Sequence, residues 1–315
     1  SIMPASQKTG IIILFPKPGK NPNSAPNRRP ITLLPELGKL PFKLLAQRLT
    51  TTFHNNPNIL NPQQRAYLKN GSIRQCLDIL TDITKHAQNH PDNNLIITAY
   101  DIQKAFDSVQ HYSITATLTR YNFPQKFIDL IMSALTNATS QVQTHHGLTE
   151  PIKLLTSVKQ GDPLAALIFI LILDPLFTGL TTNKNPLYPN SQAGYTITTP
   201  QEQDDLTTTA FGYADDTNTI NTTIESTFEQ HAWILDFLTA HRFQMNWDKT
   251  HCISKRPLNP NIRLPEHCLD LIHDPLNNKL QYEQPYPQHS IPKTPPPSRI
   301  TIKPPDTTIR ILGLY

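Results

Sequence analysis

Hydrophobic and polar positions follow two periods along the chain, and together they predict a mixture of strands and helices. Short β-branched runs at 10–15 and 28–34, separated by a turn rich in proline, predict a hairpin. The continuous apolar run at 95–100 predicts a buried strand that ends at Asp101. Apolar residues at helical spacing predict amphipathic helices over 37–49, 72–88, 112–121, 125–137 and 224–241.

An apolar helix and a second hairpin are predicted in the middle of the chain. Residues 140–155 alternate as a hairpin does, and Asp162-Pro163 then supplies a helix N-cap and a first helical position. The run at 164–173 is apolar on every side, so we expect its helix to be buried. Asp174-Pro175 is expected to end or kink that helix.

Three segments lack a regular pattern. Residues 54–65 are rich in Asn and Pro and predict a loop, and residues 181–209 predict a loop or an edge hairpin. Proline is dense over 255–306, which predicts an extended connection and no packed core. Strand character resumes at 309–315, and both ends of the chain resemble cuts from a longer protein.

Two adjacent carboxylates lie at the predicted turn of another hairpin. Asp215 and Asp216 follow Phe211-Gly212-Tyr213-Ala214 and precede a Thr- and Ile-rich strand. Burying two neighbouring charges costs several kcal/mol unless a cation or hydrogen-bond donors compensate. Carboxylate oxygens suit Mg²⁺, which makes a magnesium site one hypothesis. A solvated turn is the other, because Asp is common in turns.

Positive charge is concentrated at the start of the chain. The chain has 315 residues, which is long enough to bury a core, and its mean hydropathy is −0.39. No apolar run reaches the length of a membrane span. The net charge is only +4, yet the first 50 residues carry eight Lys or Arg against the single acid Glu36. This asymmetry favours a polyanion as partner, and a solvated basic surface is the alternative. The three cysteines indicate no disulfide framework.

Several blocks of the sequence then fall into the order typical of one family. The chain resembles the reverse transcriptase domain of LINE-type, non-LTR retrotransposons. The blocks that carry the resemblance are Arg-Arg-Pro-Ile-Thr-Leu-Leu (28–34), Tyr-Asp-Ile-Gln-Lys-Ala-Phe-Asp-Ser-Val (100–109), Val-Lys-Gln-Gly-Asp-Pro-Leu (158–164), Phe-Gly-Tyr-Ala-Asp-Asp (211–216), 246–249 and Ile-Leu-Gly (311–313).

The resemblance implies an α+β fold, the fingers and palm of a right-hand polymerase, with an antiparallel palm sheet backed by helices and the thumb missing. Residues 1–90 would form fingers with help from 108–160. Residues 91–254 would form the palm, and 255–315 a connection and the start of a primer-grip strand.

The family's catalytic carboxylates map onto three residues, Asp101, Asp215 and Asp216. They would bind two Mg²⁺ ions, with the backbone carbonyl of Ile102 as a further ligand. The reaction would be the addition of dNTPs to a DNA primer on an RNA template.

The resemblance also assigns residues to the incoming nucleotide. Lys17 and Arg29 would hold its triphosphate, and Gln160-Gly161 would touch the nucleotide and template. The ring of Phe106 would exclude a ribose 2′-hydroxyl, although a packing role for this ring is the alternative. Lys249 would protonate pyrophosphate, or is a surface lysine.

Rival interpretations remain open at this stage. They are a decayed or domesticated copy that only binds RNA, a group II intron-type reverse transcriptase, a viral-type RNA polymerase, and a zinc module around Cys252, His267, Cys268 and His273. The spacing of the last set fits no finger pattern. For the preferred interpretation we expect an intracellular protein of the cytoplasm and nucleus, with no membrane partner.

Overall fold

Helices and strands alternate along the chain as the hydrophobic pattern predicts. The computed structural model describes residues 3–19, 21–24, 27–69, 71–159, 161–181, 193–198, 205–256, 271–274, 279–282 and 299–303. The helices are α1 Ala5–Lys8, α2 Glu36–Asn55, α3 Ile73–Asn89, α4 Ala105–Ser108, α5 His111–Arg120, α6 Gln125–Leu135, α7 Ala165–Thr181 and α8 Ile224–His241.

The strands form three sheets. They are β1 Gly10–Pro16, β2 Arg28–Leu33, β3 Ile96–Tyr100, β4 Thr139–Thr144, β5 Gly147–Leu148, β6 Ile152–Lys153, β7 Tyr195–Ile197, β8 Leu206–Thr208, β9 Ala210–Tyr213, β10 Asp216–Asn221, β11 His251–Ser254, β12 Leu271–Asp274, β13 Lys279–Tyr282 and β14 Arg299–Lys303. The chain divides into two compact units, residues 1–60 with 104–173 and residues 61–103 with 174–315.

The first unit contains a five-stranded sheet in the order β2-β1-β4-β5, with β6 beside β4. Strands β1 and β2 are antiparallel, with Phe15 opposite Arg29, and β1 and β4 are parallel. Both predicted hairpins are therefore confirmed, because β4 also pairs antiparallel with β5 and β6.

Helix α2 buries only part of the expected apolar stripe. Leu49 is buried as expected, together with Phe42 and Phe53, whereas Leu40 and Leu44 are 53% and 55% exposed. Two apolar stripes run along this helix, so spacing alone could not choose between them. The stripe with the two phenylalanines offers more apolar area, and that stripe is the one that packs.

Helix α7 is the buried apolar helix, as predicted. It begins at Ala165, and just before it the Asp162 side chain accepts a hydrogen bond from the Leu164 amide at 2.8 Å, the bond that an N-cap residue makes two positions along the chain. The helix does not end at Asp174-Pro175 but continues through Pro175 to Thr181. Among the described residues no helix is both long and apolar enough to cross a membrane.

The second unit contains a seven-stranded sheet in the order β12-β13-β14-β11-β3-β10-β9. Strand β3 is buried at all five positions and pairs antiparallel with β10 and β11. Helix α3 covers one face, where Cys76 and Ile83 pack with Ile97 and Phe211. Helix α8 contacts β10 and β3.

Helix α3 begins where the sequence predicts. The Ser72 side chain accepts from the Gln75 amide, and the Gln75 side chain accepts from the Ser72 amide, so both halves of a capping box are present.

The proline-dense region departs from its prediction. Strands β12, β13 and β14 lie within it and extend the sheet, with β14 parallel to β11. None of these three strands contains proline, so each can donate its backbone hydrogen bonds. The small β7–β8 sheet confirms an edge hairpin in the described part of 181–209. The predicted strand at 309–315 lies outside the described residues.

Candidate active site

The acid pair lies at the tip of the β9–β10 hairpin, as predicted. Tyr213 pairs with Asp216 across the two strands, and Ala214 and Asp215 form the two-residue turn. Asp215 therefore precedes the strand that Asp216 begins. The alternation of side chains along a strand does not by itself set the directions of these two carboxylates.

Asp101 follows β3 at the same end of the sheet. Thr217 of β10 is the partner of Tyr100 of β3, so continuing this register by one residue sets Asp101 beside Asp216. Acids that are more than 100 positions apart in sequence are thus brought together by one antiparallel strand pair.

The protonation of Asp215 depends on burial and on the charges near it. Burial raises the pKa of Asp215 above its usual value, and the Asp101 charge raises it further, whereas the Lys249 ammonium lowers it. Both Asp215 and Asp101 are only partly buried. The site therefore holds more negative charge than its own residues neutralise, which is the condition that a bound cation relieves.

Two side chains from the segment after α8 hold Asp101. Lys249 Nζ lies 3.0 Å and 3.2 Å from the two carboxylate oxygens, and Asn246 Nδ2 donates to Oδ2 at 2.8 Å. The Asn246 amide also donates to the Asp101 carbonyl at 2.7 Å. Asn246 therefore fixes both the backbone and the carboxylate of Asp101, a role that the sequence argument did not assign.

Hydrogen bonds fix the backbone on both sides of Ile102. Ile102 forms an isolated antiparallel bridge with Met245. In this bridge the Gln103 amide donates to the Gln244 carbonyl, and the Asp101 carbonyl accepts from the Asn246 amide. The Ile102 carbonyl stays outside this bridge.

The donor set of Asp101, Asp215 and the Ile102 carbonyl is all oxygen, which suits Mg²⁺. Among the described residues no group of three or more His, Cys, Asp or Glu side chains is arranged to hold a metal. The role of Asp216 as a third carboxylate ligand therefore stays a prediction.

The predicted triphosphate residues lie on the β1–β2 hairpin of the first unit. Arg29 is exposed on β2, and the Lys17 amide, just beyond β1, donates to the Asn27 carbonyl at 2.8 Å. The Arg28 guanidinium donates to the carbonyls of Pro22 and Leu14. Arg28 thus fastens the hairpin, and Arg29 is the residue that presents its side chain to solvent.

Phe106 lies on α4 and stacks on Phe169 of the buried helix α7, with ring centroids 4.5 Å apart. The Val158 amide donates to the Phe106 carbonyl at 3.2 Å, which ties α4 to the loop before α7. The ring is partly exposed, so packing and contact with a substrate are both compatible with its position.

The loop before α7 is held in an unusual backbone conformation. Ser157, Lys159 and Gly161 all have positive φ angles. At Gly161, where φ is +118°, an added Cβ would clash with the Thr32 carbonyl oxygen, so a glycine is required. The predicted site residue Gln160 lies outside the described residues.

Lys159 anchors this loop from inside the first unit. It is 5% exposed, and its Nζ donates to the carbonyls of Lys8 at 3.0 Å and Ala134 at 3.2 Å. Burial lowers the pKa of Lys159 to about 8. The sequence alone predicts no role for Lys159, because a single lysine beside a Gln-Gly pair gives no sign of burial.

Comparison with known proteins identifies the family to which this arrangement belongs. The model of the family described as "Reverse transcriptase (RNA-dependent DNA polymerase)" matches residues 15–314. The chain belongs to the reverse transcriptase family. Membership confirms the predicted enzyme class, a nucleotidyltransferase of the RNA-directed DNA polymerase type, and it implies dependence on a divalent metal.

Curated relatives point to retrotransposons. The chain is 32% identical over 169 residues, 53% of its length, to a Pol polyprotein of the type-1 retrotransposable element R2 from Popillia japonica. It is 27% identical over 248 residues, 78% of its length, to the RNA-directed DNA polymerase of the mobile element jockey from Drosophila melanogaster. The matched regions span 23% and 24% of these relatives. The resemblance to the reverse transcriptase domains of LINE-type elements is confirmed.

Solved structures agree on the fold. Telomerase from Candida albicans, in a complex with a fragment of telomeric RNA, aligns with 93% of this chain and 48% of its own, at a TM-score of 0.54 and 12% identity. Apo telomerase from Candida tropicalis aligns with 90% of this chain and 50% of its own, at a TM-score of 0.54 and 11% identity. The predicted α+β fold with fingers and palm is confirmed.

Proposed function

We propose that this reverse transcriptase domain adds dNTPs to the 3′ end of a DNA primer paired with an RNA template. The observation that carries the proposal is the meeting of Asp101 and Asp215 at one end of the second unit's sheet, where the charge of one raises the pKa of the other. An inert scaffold has no physical need for adjacent, partly buried carboxylates.

Asp101, Asp215, Asp216 and the Ile102 carbonyl would hold two Mg²⁺ ions. When bound, such ions activate the primer hydroxyl and stabilise the charge of the departing pyrophosphate. Asn246 keeps the Asp101 carboxylate in a fixed direction, because it bonds both the side chain and the carbonyl of that residue.

Lys249 has two functions in this scheme. In the free protein its ammonium neutralises Asp101. In the loaded protein it would give up one of its two contacts with that carboxylate. Its Nζ proton is then available to the oxygen of the leaving pyrophosphate.

The first unit would bind the nucleotide. Arg29 offers a planar fork and Lys17 a point charge to triphosphate oxygens. Phe106 would lie beneath the sugar, and Gln160-Gly161 would approach the nucleotide and template. A protein of this kind would act in the cytoplasm and nucleus, on RNA and DNA.

Primer extension tests this function. The purified protein, a primed RNA template, dNTPs and Mg²⁺ should give template-dependent products, and EDTA should abolish them. Asp215→Asn should lower the rate by about 10³-fold or more, because the variant loses a metal-binding charge.

The same experiment distinguishes polymerase activity from the rival function, RNA binding without catalysis. A decayed copy that only binds RNA would retain template binding in a filter or anisotropy assay and give no extension. Extension by Asp215→Asn at the wild-type rate would reject the metal role of this acid.

A further inference from the structure

A segment predicted as loop runs beside the acid hairpin. The Gly212 amide of β9 donates to the Gln63 carbonyl at 2.9 Å, and the Arg65 amide donates to the Gly212 carbonyl at 3.0 Å. These bonds make Gln64 the parallel bridge partner of Gly212. Residues 63–65 thus lie along β9 as a further, very short strand.

The Gln64 side chain reaches the tip of the hairpin. It is 1% exposed, and its Nε2 donates to the Ala214 carbonyl at 2.9 Å. Its Oε1 accepts from the Ala214 amide at 3.0 Å and from the Ala66 amide at 3.1 Å. One amide side chain therefore satisfies both backbone groups of a residue 150 positions away.

Ala214 needs such a partner for two reasons. Its φ angle is +58°, whereas the φ angle of Asp215 is not positive. A two-residue hairpin turn with a positive φ at its first position alone usually has glycine there. Ala214 is also 6% exposed, so water reaches its amide and carbonyl poorly. Among the described residues, Gln64 is the hydrogen-bond partner of both groups.

We call the two hydrogen bonds between the Gln64 side chain and the Ala214 backbone the clamp. The clamp lies next to the catalytic candidate, because Asp215 is the next residue along the turn. A restraint on Ala214 fixes the backbone from which the Asp215 carboxylate projects.

We propose that Gln64 is a positioning residue that directs the Asp215 carboxylate toward the bound cation. This inference rests on the proposed function, since it assumes that Asp215 is a metal ligand. Gln64 itself touches neither substrate nor metal in this scheme. Its effect passes through the backbone of Ala214.

The test compares Gln64→Met with Gln75→Met. Methionine keeps the length of the side chain and removes its hydrogen bonds. Gln75 belongs to the capping box of α3, and its Oε1 also accepts from the Arg65 guanidinium at 3.4 Å. Among the hydrogen bonds of the described residues none joins Gln75 to Ala214 or to the acids, so its variant controls for lost stability. The readouts are Mn²⁺ affinity by electron paramagnetic resonance, the Mg²⁺ concentration for half-maximal primer extension, and the thermal midpoint.

Gln64→Met should weaken Mn²⁺ binding and raise the half-maximal Mg²⁺ concentration by about 10-fold, with a smaller change in KM for dNTP. Gln75→Met should lower only the thermal midpoint. The double variant Gln64→Met with Ala214→Gly should recover part of the lost Mn²⁺ affinity, because glycine adopts a positive φ without the clamp.

Wild-type Mn²⁺ affinity in Gln64→Met, or an equal loss in Gln75→Met, would overturn the proposal. Failure of the proposed function looks different, since the wild-type protein itself would then bind no Mn²⁺ and extend no primer. In that case amide hydrogen exchange at Ala214 tests, independently of metal binding, whether the clamp restrains this residue. Faster exchange in Gln64→Met supports it, and unchanged exchange refutes it.

Discussion

At the scale of single residues, the site combines acids that repel each other with neighbours that restrain them. Burial and the charge of Asp101 both raise the pKa of Asp215, and Lys249 and Asn246 hold Asp101. Such an arrangement costs stability in the free protein, because the acids are held close for binding and not for folding. The cost should therefore depend on pH and on added cations.

Thermal denaturation should reveal this cost. Because the pKa of Asp215 is raised on folding, its contribution to stability is present below the unfolded pKa and is lost as pH rises through the folded value. In EDTA at pH 7, Asp215→Asn should raise the thermal midpoint by about 2 °C, and this difference should shrink toward pH 4. A lower midpoint for the variant at pH 7 would contradict the electrostatic argument.

Phe106 carries a second prediction at this scale. If its ring excludes the ribose 2′-hydroxyl, Phe106→Ala should increase the use of ribonucleotides relative to dNTPs by about 10-fold or more, measured as the ratio of kcat/KM values. Phe169→Leu is the matched control, because it disturbs the same ring stack from the buried side. An unchanged ratio in Phe106→Ala would leave Phe106 with a packing role only.

At the scale of elements, the loop before α7 and the β9–β10 turn are stabilised in the same way. The loop contains three residues with positive φ and the turn contains one, Ala214. Each segment is held by a buried polar side chain that bonds backbone groups, Lys159 in the loop and Gln64 at the turn. Strained backbone of this kind persists only where the surroundings fix it.

Gly161→Ala tests the loop. The added Cβ would meet the Thr32 carbonyl at a positive φ, so the variant should lose about 2–4 kcal/mol of unfolding free energy. Gly147→Ala is the control, since Gly147 also has a positive φ but has open space around its Cβ position, and it should lose only about 1 kcal/mol. Equal losses in urea denaturation would exclude the close approach to Thr32.

At the scale of the whole molecule, charge is distributed unevenly along the chain. The first 50 residues carry eight basic side chains and one acid, while the acids of the candidate site belong to the second unit. In α2, Lys39 and Lys43 both pair with Glu36, which is exposed, so they remain near the surface with Arg48. A basic surface of this kind binds nucleic acid mainly through phosphates.

Binding of a primed template should therefore depend steeply on salt. Affinity measured by fluorescence anisotropy should fall by about 10²-fold or more between 50 and 200 mM salt, because each phosphate contact releases counterions. Arg29→Gln should reduce the slope of log K against log salt by about one. An affinity independent of salt would contradict the role given to these residues.

Most of the elements and the family can be predicted from the amino-acid sequence. Hydrophobic patterns located β1, β3, α3 and α8, because each pattern lies within the few residues of its own element. The acid pair and the order of the blocks predicted the reverse transcriptase family, which the comparison confirmed.

The contacts between distant residues are visible only in the folded protein. The buried face of α2, the anchoring of Lys159, and the contacts of Asn246 with Asp101 and of Gln64 with Ala214 all depend on segments far apart in sequence. No local pattern marks a glutamine in an Asn- and Pro-rich segment as a buried clamp. Its partners are set by strand pairing, which brings distant backbone groups within hydrogen-bond distance.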